Sequence, residues 1–157
     1  MAEEQKSGGD LEGLECAACK FISSEIHDRW ARYAYKLGKW SKKKKRKKAL
    51  KAIRATCDYF KDGPQIALSG EEGSQQFADF NKLMSGGGTL SNLQMSPTYA
   101  TGLETLCARL RDQWGESLAD EYSQVKRLYD FDVRDTETGL CGSQFAGECE
   151  SGSAADL

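Results

Sequence analysis

One histidine, His27, occurs in 157 residues. A Ser-His-Asp hydrolase site would have to centre on it, and no G-x-S-x-G turn is present to hold a nucleophile. A zinc site needs four cysteine or histidine ligands, and a single CxxC with no second one does not supply them. His27 reads as a helix-surface residue. Long apolar runs are missing too: none approaches the roughly 18 residues that a membrane-crossing helix requires. Strand-like alternation is nowhere sustained, and no internal repeat is visible, so the expected fold class is all-α. The acidic residues Asp130, Asp132, Asp135 and Glu137 lack the residue order and the glycine of an EF-hand loop, and read as a solvated face. No catalytic residue, metal or cofactor is expected.

Six cysteines are present: Cys16, Cys19, Cys57, Cys107, Cys141 and Cys149. An even set spread over the whole chain reads as a disulfide framework, which forms in oxidising compartments. The first ten residues, MAEEQKSGGD, lack the apolar core of a signal peptide and taken literally indicate the cytosol. The two observations are reconciled if a signal peptide has been removed and Met1 is an added start residue. The expected location is then the endoplasmic reticulum lumen or the extracellular space.

A net charge of −2 conceals an unbroken basic run, Lys42, Lys43, Lys44, Lys45, Arg46, Lys47 and Lys48, while the stretch from Glu116 onward is rich in acid. If helical, that run shows charge on every face and can hardly pack in a core. It is expected as the exposed turn or leading edge before a helix, and as a partner-binding segment. An acidic protein surface or an anionic lipid would suit it. Nucleic acid is disfavoured, because the chain is slightly acidic and Trp40 is the one aromatic close by.

The elements follow from periodicity. Residues 1–10 and 151–157 are expected as flexible tails around a domain at 11–150. Apolar residues at Leu14, Ala17, Phe21, Ile22, Ile26, Trp30, Tyr33 and Leu37 recur at three and four, predicting a helix over 11–37. A second helix carries Leu50, Ile53, Cys57 and Phe60 and stops at Asp62-Gly63-Pro64. The pattern weakens over 63–101, which reads as an insertion containing a short helix from Ser74 to Met84 and a loop at Gly86-Gly87-Gly88. The clearest periodicity runs from Leu103 to about Asp130, through Leu106, Leu110, Trp114, Leu118 and Tyr122. Gly115 lies inside it.

Cys16 and Cys19 sit three apart near a helix start and point the same way, so a regular helix hardly lets them bond to each other. Each needs a distant partner, and Cys141 and Cys149 are the natural supply. A nested arrangement, Cys16–Cys149, Cys19–Cys141 and Cys57–Cys107, is one of fifteen possible connectivities. A thiol-redox reading of Cys16-Ala-Ala-Cys19 fits the helix start, where the dipole favours thiolate. It lacks a preceding strand and a βαβ context.

Together these segments resemble the canopy family. The resemblance rests on Cys16-Ala-Ala-Cys19-Lys20 opening an amphipathic helix and Ala52-Ile-Arg-Ala-Thr-Cys57 closing the next. It continues through Leu103-Glu-Thr-Leu-Cys107, the long helix with Trp114, and Leu140-Cys141 with Cys149. It implies a saposin-like helical domain with an insertion, in a lumenal protein that assists folding or assembly of clients beside a larger chaperone. Two features depart from the family pattern: the long basic run, and an Ala154-Ala155-Asp156-Leu157 ending that shares only its last two residues with a KDEL-like signal. The expected function is thus non-enzymatic protein binding, with a client or chaperone as partner. The alternatives are a saposin-like lipid-interacting protein and a CxxC thiol-disulfide oxidoreductase. A mean hydropathy of −0.63 favours a closed form over a lipid-exposing one.

Overall fold

The structure, a computed structural model, describes residues 11–33, 38–71, 73–86, 93–126, 133 and 139–149. The tails, residues 34–37, Gly87-Gly88 and the acidic residues Asp130, Asp132, Asp135 and Glu137 lie outside the described residues.

Helix α1 (Glu15–Ala31) starts later than its apolar pattern suggests. A turn precedes it, in which the Leu14 amide donates to the Leu11 carbonyl at 2.7 Å. Gly13 holds φ at +79° in that turn, a left-handed conformation open to glycine at no steric cost. Helix α2 (Lys42–Lys61) starts on Ser41, whose hydroxyl accepts from the Lys44 amide at 3.1 Å. Such a cap contributes about 1 kcal/mol. The basic run is therefore the first two turns of the helix itself, lysine and arginine being good helix formers. The helix ends before Gly63, whose φ of +77° cannot continue it.

Residues 63–101 correct the all-α expectation. They contain β1 (Ile66–Ser69), β2 (Gln76–Asp79), the short helix α3 (Phe80–Ser85) and β3 (Gln94–Met95). The strands form one antiparallel sheet in the order β2-β1-β3, with Leu68 opposite Phe77 on one side and Gln94 on the other. The protein is mostly helical with a small sheet. Strands of four, four and two residues are too short to show alternation. All four residues of β1 are buried, so it reads as a short apolar run. The helix expected from Ser74 begins only at Phe80, where the Asp79 carboxylate accepts from the Lys82 amide at 3.2 Å.

Helix α4 (Thr98–Ser123) begins five residues before Leu103. Ser96 and Pro97 explain the early start: the serine hydroxyl accepts from the Thr98 amide at 3.2 Å, and proline is favoured at the opening of a helix. Gly102 then falls inside the helix, and Leu11 packs where its side chain would be.

Helices α2 and α4 run antiparallel. Cys57, near the end of α2, is bonded to Cys107, early in α4, while Lys45 at the other end reaches Val125 just beyond α4. Ala49, Ala52, Ile53 and Phe60 face Leu103, Leu106, Leu110 and Leu118 within one hydrophobic core. Trp30 of α1 is fully buried with its ring 4.5 Å from that of Tyr122. Its indole N–H has no acceptor among the described residues. The segment 139–149 crosses α1 as a series of turns, closed by the Cys149 amide donating to the Cys141 carbonyl at 3.0 Å. Disulfides Cys16–Cys149 and Cys19–Cys141 tie this strap to α1, and an Arg109–Glu148 ion pair ties it to α4. No cysteine is free.

Two stability measurements follow. A Cβ on Gly115 would meet only the Arg111 side chain, at an ordinary 3.7 Å. Gly115→Ala should therefore stabilise by about 1 kcal/mol, from helix propensity. In thermal melts that is a rise of about 2–4 °C for a chain of this length. Replacing both Cys57 and Cys107 by alanine reopens a closure of 50 residues. That should cost about 4 kcal/mol on chain-entropy grounds, read as a lower midpoint in urea with the rest of the framework oxidised.

Candidate protein-binding surfaces

An open groove of about 1310 Å³ lies between α1 and the sheet. One wall is the outer face of α1, where Leu14, Ala17, Phe21 and Ser24 follow one another at three and four and stay half-buried. The other wall is the β1–β2 hairpin with Leu93 and Gln94. Leu68, Phe77 and Tyr99 form the floor. Aromatic rings tile it: Phe21 lies 6.4 Å from Phe77, and Phe77 meets Tyr99 edge-on at 5.4 Å. Behind them Phe21 rests on Phe60 at 5.9 Å. The rim is polar, with Lys20, Glu71, Gln75 and Gln76. The hairpin turn that shapes it depends on Gly70, at φ +100°, where a Cβ would stand 3.0 Å from the Ser74 carbonyl oxygen. Leu93 and Met95, beside the groove and in the edge strand β3, are among the few large apolar side chains left exposed.

A polar network fastens the sheet and α3 to the helices and so fixes the width of the groove. Buried Glu25 accepts from Arg29 at 2.9 Å and pairs with Lys82 of α3 at 3.1 Å. Arg29 stacks over the Tyr59 ring, 5.1 Å from its centre, and the Tyr59 hydroxyl donates to the buried Asp79 carboxylate. Burial, then the Asp79 hydrogen bond and negative charge, push the Tyr59 hydroxyl up to about 12. Sequence periodicity gave no sign of this network, because its members sit on four separate elements and obey no common spacing.

The basic run is divided between inside and outside. Contrary to expectation, Lys45 is buried, and its ammonium donates to the Val125 carbonyl at 2.7 Å. That oxygen follows the C-terminal end of α4, where the helix dipole favours a cation, so the charge is met rather than exposed. Arg46 stays partly exposed and pairs at the surface with Glu116 and Asp120 of α4. Both cations are thus engaged within the chain, Lys45 in the interior and Arg46 in exposed ion pairs. Lys42, Lys43, Lys44 and Lys47 are exposed, and Lys48 is half-buried over the Tyr33 ring at 4.7 Å. His27 is half-buried rather than on the surface, its Nδ1 lying 3.0 Å from the Tyr122 hydroxyl. Cys16 and Cys19 are each bonded to a distant cysteine and not to one another.

Comparison of the chain with protein-family models, curated proteins and solved structures returns no match. Among the described residues no helix is long and apolar enough to cross a membrane. Three disulfides accord with a secreted or lumenal protein.

The raised Tyr59 value has a direct readout. Because the folded state holds the phenolic proton more tightly than the ordinary value of 10.0, its contribution to stability is complete below pH 10. It is lost as pH climbs from there through about 12. Difference absorbance at 295 nm between the wild type and Tyr59→Phe should show one tyrosine ionising near pH 12. Asp79→Asn, which keeps a cap for α3, should bring that midpoint down towards 10 without reaching it, since burial remains.

Proposed function

We propose that this protein is a non-enzymatic, protein-binding factor of the secretory pathway, a chaperone cofactor that holds exposed apolar segments of client proteins during folding or assembly. The observation that carries this reading is the groove between α1 and the sheet: an aromatic floor, a polar rim and a rigid frame, large enough for several side chains of an extended segment. Aromatic surfaces of this kind bind apolar side chains with little entropy loss, because each ring is already fixed by its neighbours. The disulfide framework suits an oxidising compartment, which for a folding cofactor means the endoplasmic reticulum lumen. A saposin-like, canopy-type domain with the sheet as its insertion is the family reading that accompanies this function.

The wild-type protein should slow aggregation of a reduced, denatured secretory protein and bind aromatic-rich extended peptides in fluorescence anisotropy. Ala17→Arg and Leu93→Asp place charge on the two walls of the groove at positions that are not buried. Each should weaken peptide binding by about tenfold, the scale of one disrupted apolar contact region at a binding site, with thermal melts and circular dichroism unchanged. Full protection by both variants would exclude the groove. Pelleting with vesicles, without any effect on aggregation, would favour the lipid-interacting reading instead.

A further inference from the structure

The outer face of α2 carries a second surface, separate from the groove. Lys43, Lys47 and Lys51 stand one helical turn apart, and Arg54 follows three residues on, so the four cations form a row of about 16 Å. Lys42 and Lys44 flank its start. All six are exposed. None of them has a carboxylate partner among the described residues, whereas the buried Lys45 and the partly exposed Arg46 are both satisfied within the chain. Ring contacts order part of the cluster: Lys44 lies 5.8 Å from the Trp40 ring and Lys51 5.7 Å from that of Tyr33. The first turn of α2 contains no acid, so the positive end of the helix dipole adds to the same charge. This concentration of like charge disfavours the helix start, and an anion laid along the row would relieve it.

We propose that this face binds a sulfated polysaccharide chain. The chemistry of the surface selects that partner. Protein interfaces are poor in lysine and built around a buried apolar centre, and this face offers lysines with no large exposed apolar side chain among them. A bilayer surface site would pair cations with inserting apolar side chains. The exposed Met84, Leu93 and Met95 belong instead to α3 and the neighbourhood of β3. Nucleic acid is not the polyanion of an oxidising, extracellular or lumenal space. A linear chain bearing sulfates at regular intervals matches a straight row of flexible ammonium groups, with affinity set by the cations it neutralises.

The test uses the intact oxidised protein and heparin as the probe. Despite a net charge of −2, the wild type should be retained on immobilised heparin at about 0.15 M salt and leave it later than a sulfopropyl resin. Lys43→Gln/Lys47→Gln/Lys51→Gln should lower affinity for soluble heparin at least about tenfold and flatten its salt dependence. Glutamine is a good helix former and relieves repulsion at the helix start, so this variant should melt no lower than the wild type. Arg111→Gln, which removes an exposed cation of α4 outside the row, should stay within about twofold of wild-type affinity. Lysine acetylation of the wild type, mapped with and without heparin, gives a reading independent of any variant: Lys43, Lys47 and Lys51 should be protected. Passage through heparin at that salt would overturn the proposal, as would equal loss in both variants or an absence of protection. Equal binding to phosphatidylserine vesicles or to an acidic peptide at matched charge would also overturn it, and would reassign the face to a membrane or a protein.

Discussion

Helices α2 and α4 are fastened at both ends by unlike means, and the rest of the molecule is arranged around that pair. Towards one end the Cys57–Cys107 bond joins the last turns of α2 to the first half of α4. At the other the Lys45 ammonium seats on the Val125 carbonyl, and Arg46 grips two carboxylates of α4. With both ends set, the apolar residues between them can meet in only one register. Helix α1 then closes the core by inserting Trp30 against Tyr122, and the sheet closes it from the side through Phe77. Lys45 shows how the ionic fastening works: a buried cation is tolerable where a helix end offers carbonyl oxygens that water no longer serves.

The groove exists because α1 has more apolar surface than the core can use. Its inner arc, from Ala18 to Trp30, is buried. Leu14, Ala17 and Phe21 lie on a neighbouring arc and are covered only in part. The sheet stands across from this arc without closing over it, and the polar network through Glu25, Arg29, Tyr59, Asp79 and Lys82 keeps the two apart. A site built this way is held open by charge pairs that are themselves partly shielded from solvent. The basic row on α2 faces elsewhere, so the two surfaces can be occupied together or separately.

Much of this was legible in the residues. Six cysteines in a framework and three long helices could be read from spacing, because long helices repeat their pattern often enough to be recognised, whereas the nested pairing stood as one of fifteen until the structure fixed it. What escaped was short or was decided by distant partners. Strand β1 is four buried residues, and β3 is two exposed ones; neither offers a period to detect. Ser41 and Ser96-Pro97 open α2 and α4 ahead of the first periodic apolar residue, so the apolar pattern does not place these helix starts. The inward turn of Lys45 had no local signal at all, since its acceptor lies 80 residues along the chain. The groove likewise required the sheet before its aromatic floor could be assembled.

The strap at 139–149 has a consequence for how the protein is made. Cys16 and Cys19 emerge early from a ribosome, but their partners lie 133 and 122 residues later. At about 5–20 residues per second, the two thiols wait several seconds or more with no native partner in reach. Under oxidising conditions they are then open to each other, to Cys57 and to other thiols. Any bond formed in that interval has to be displaced by Cys141 or Cys149 through thiol–disulfide exchange before the nested pattern is complete. Native pairing therefore waits on the strap, and a product cut off before Cys141 would leave Cys16 and Cys19 without the partners that hold them in the finished fold.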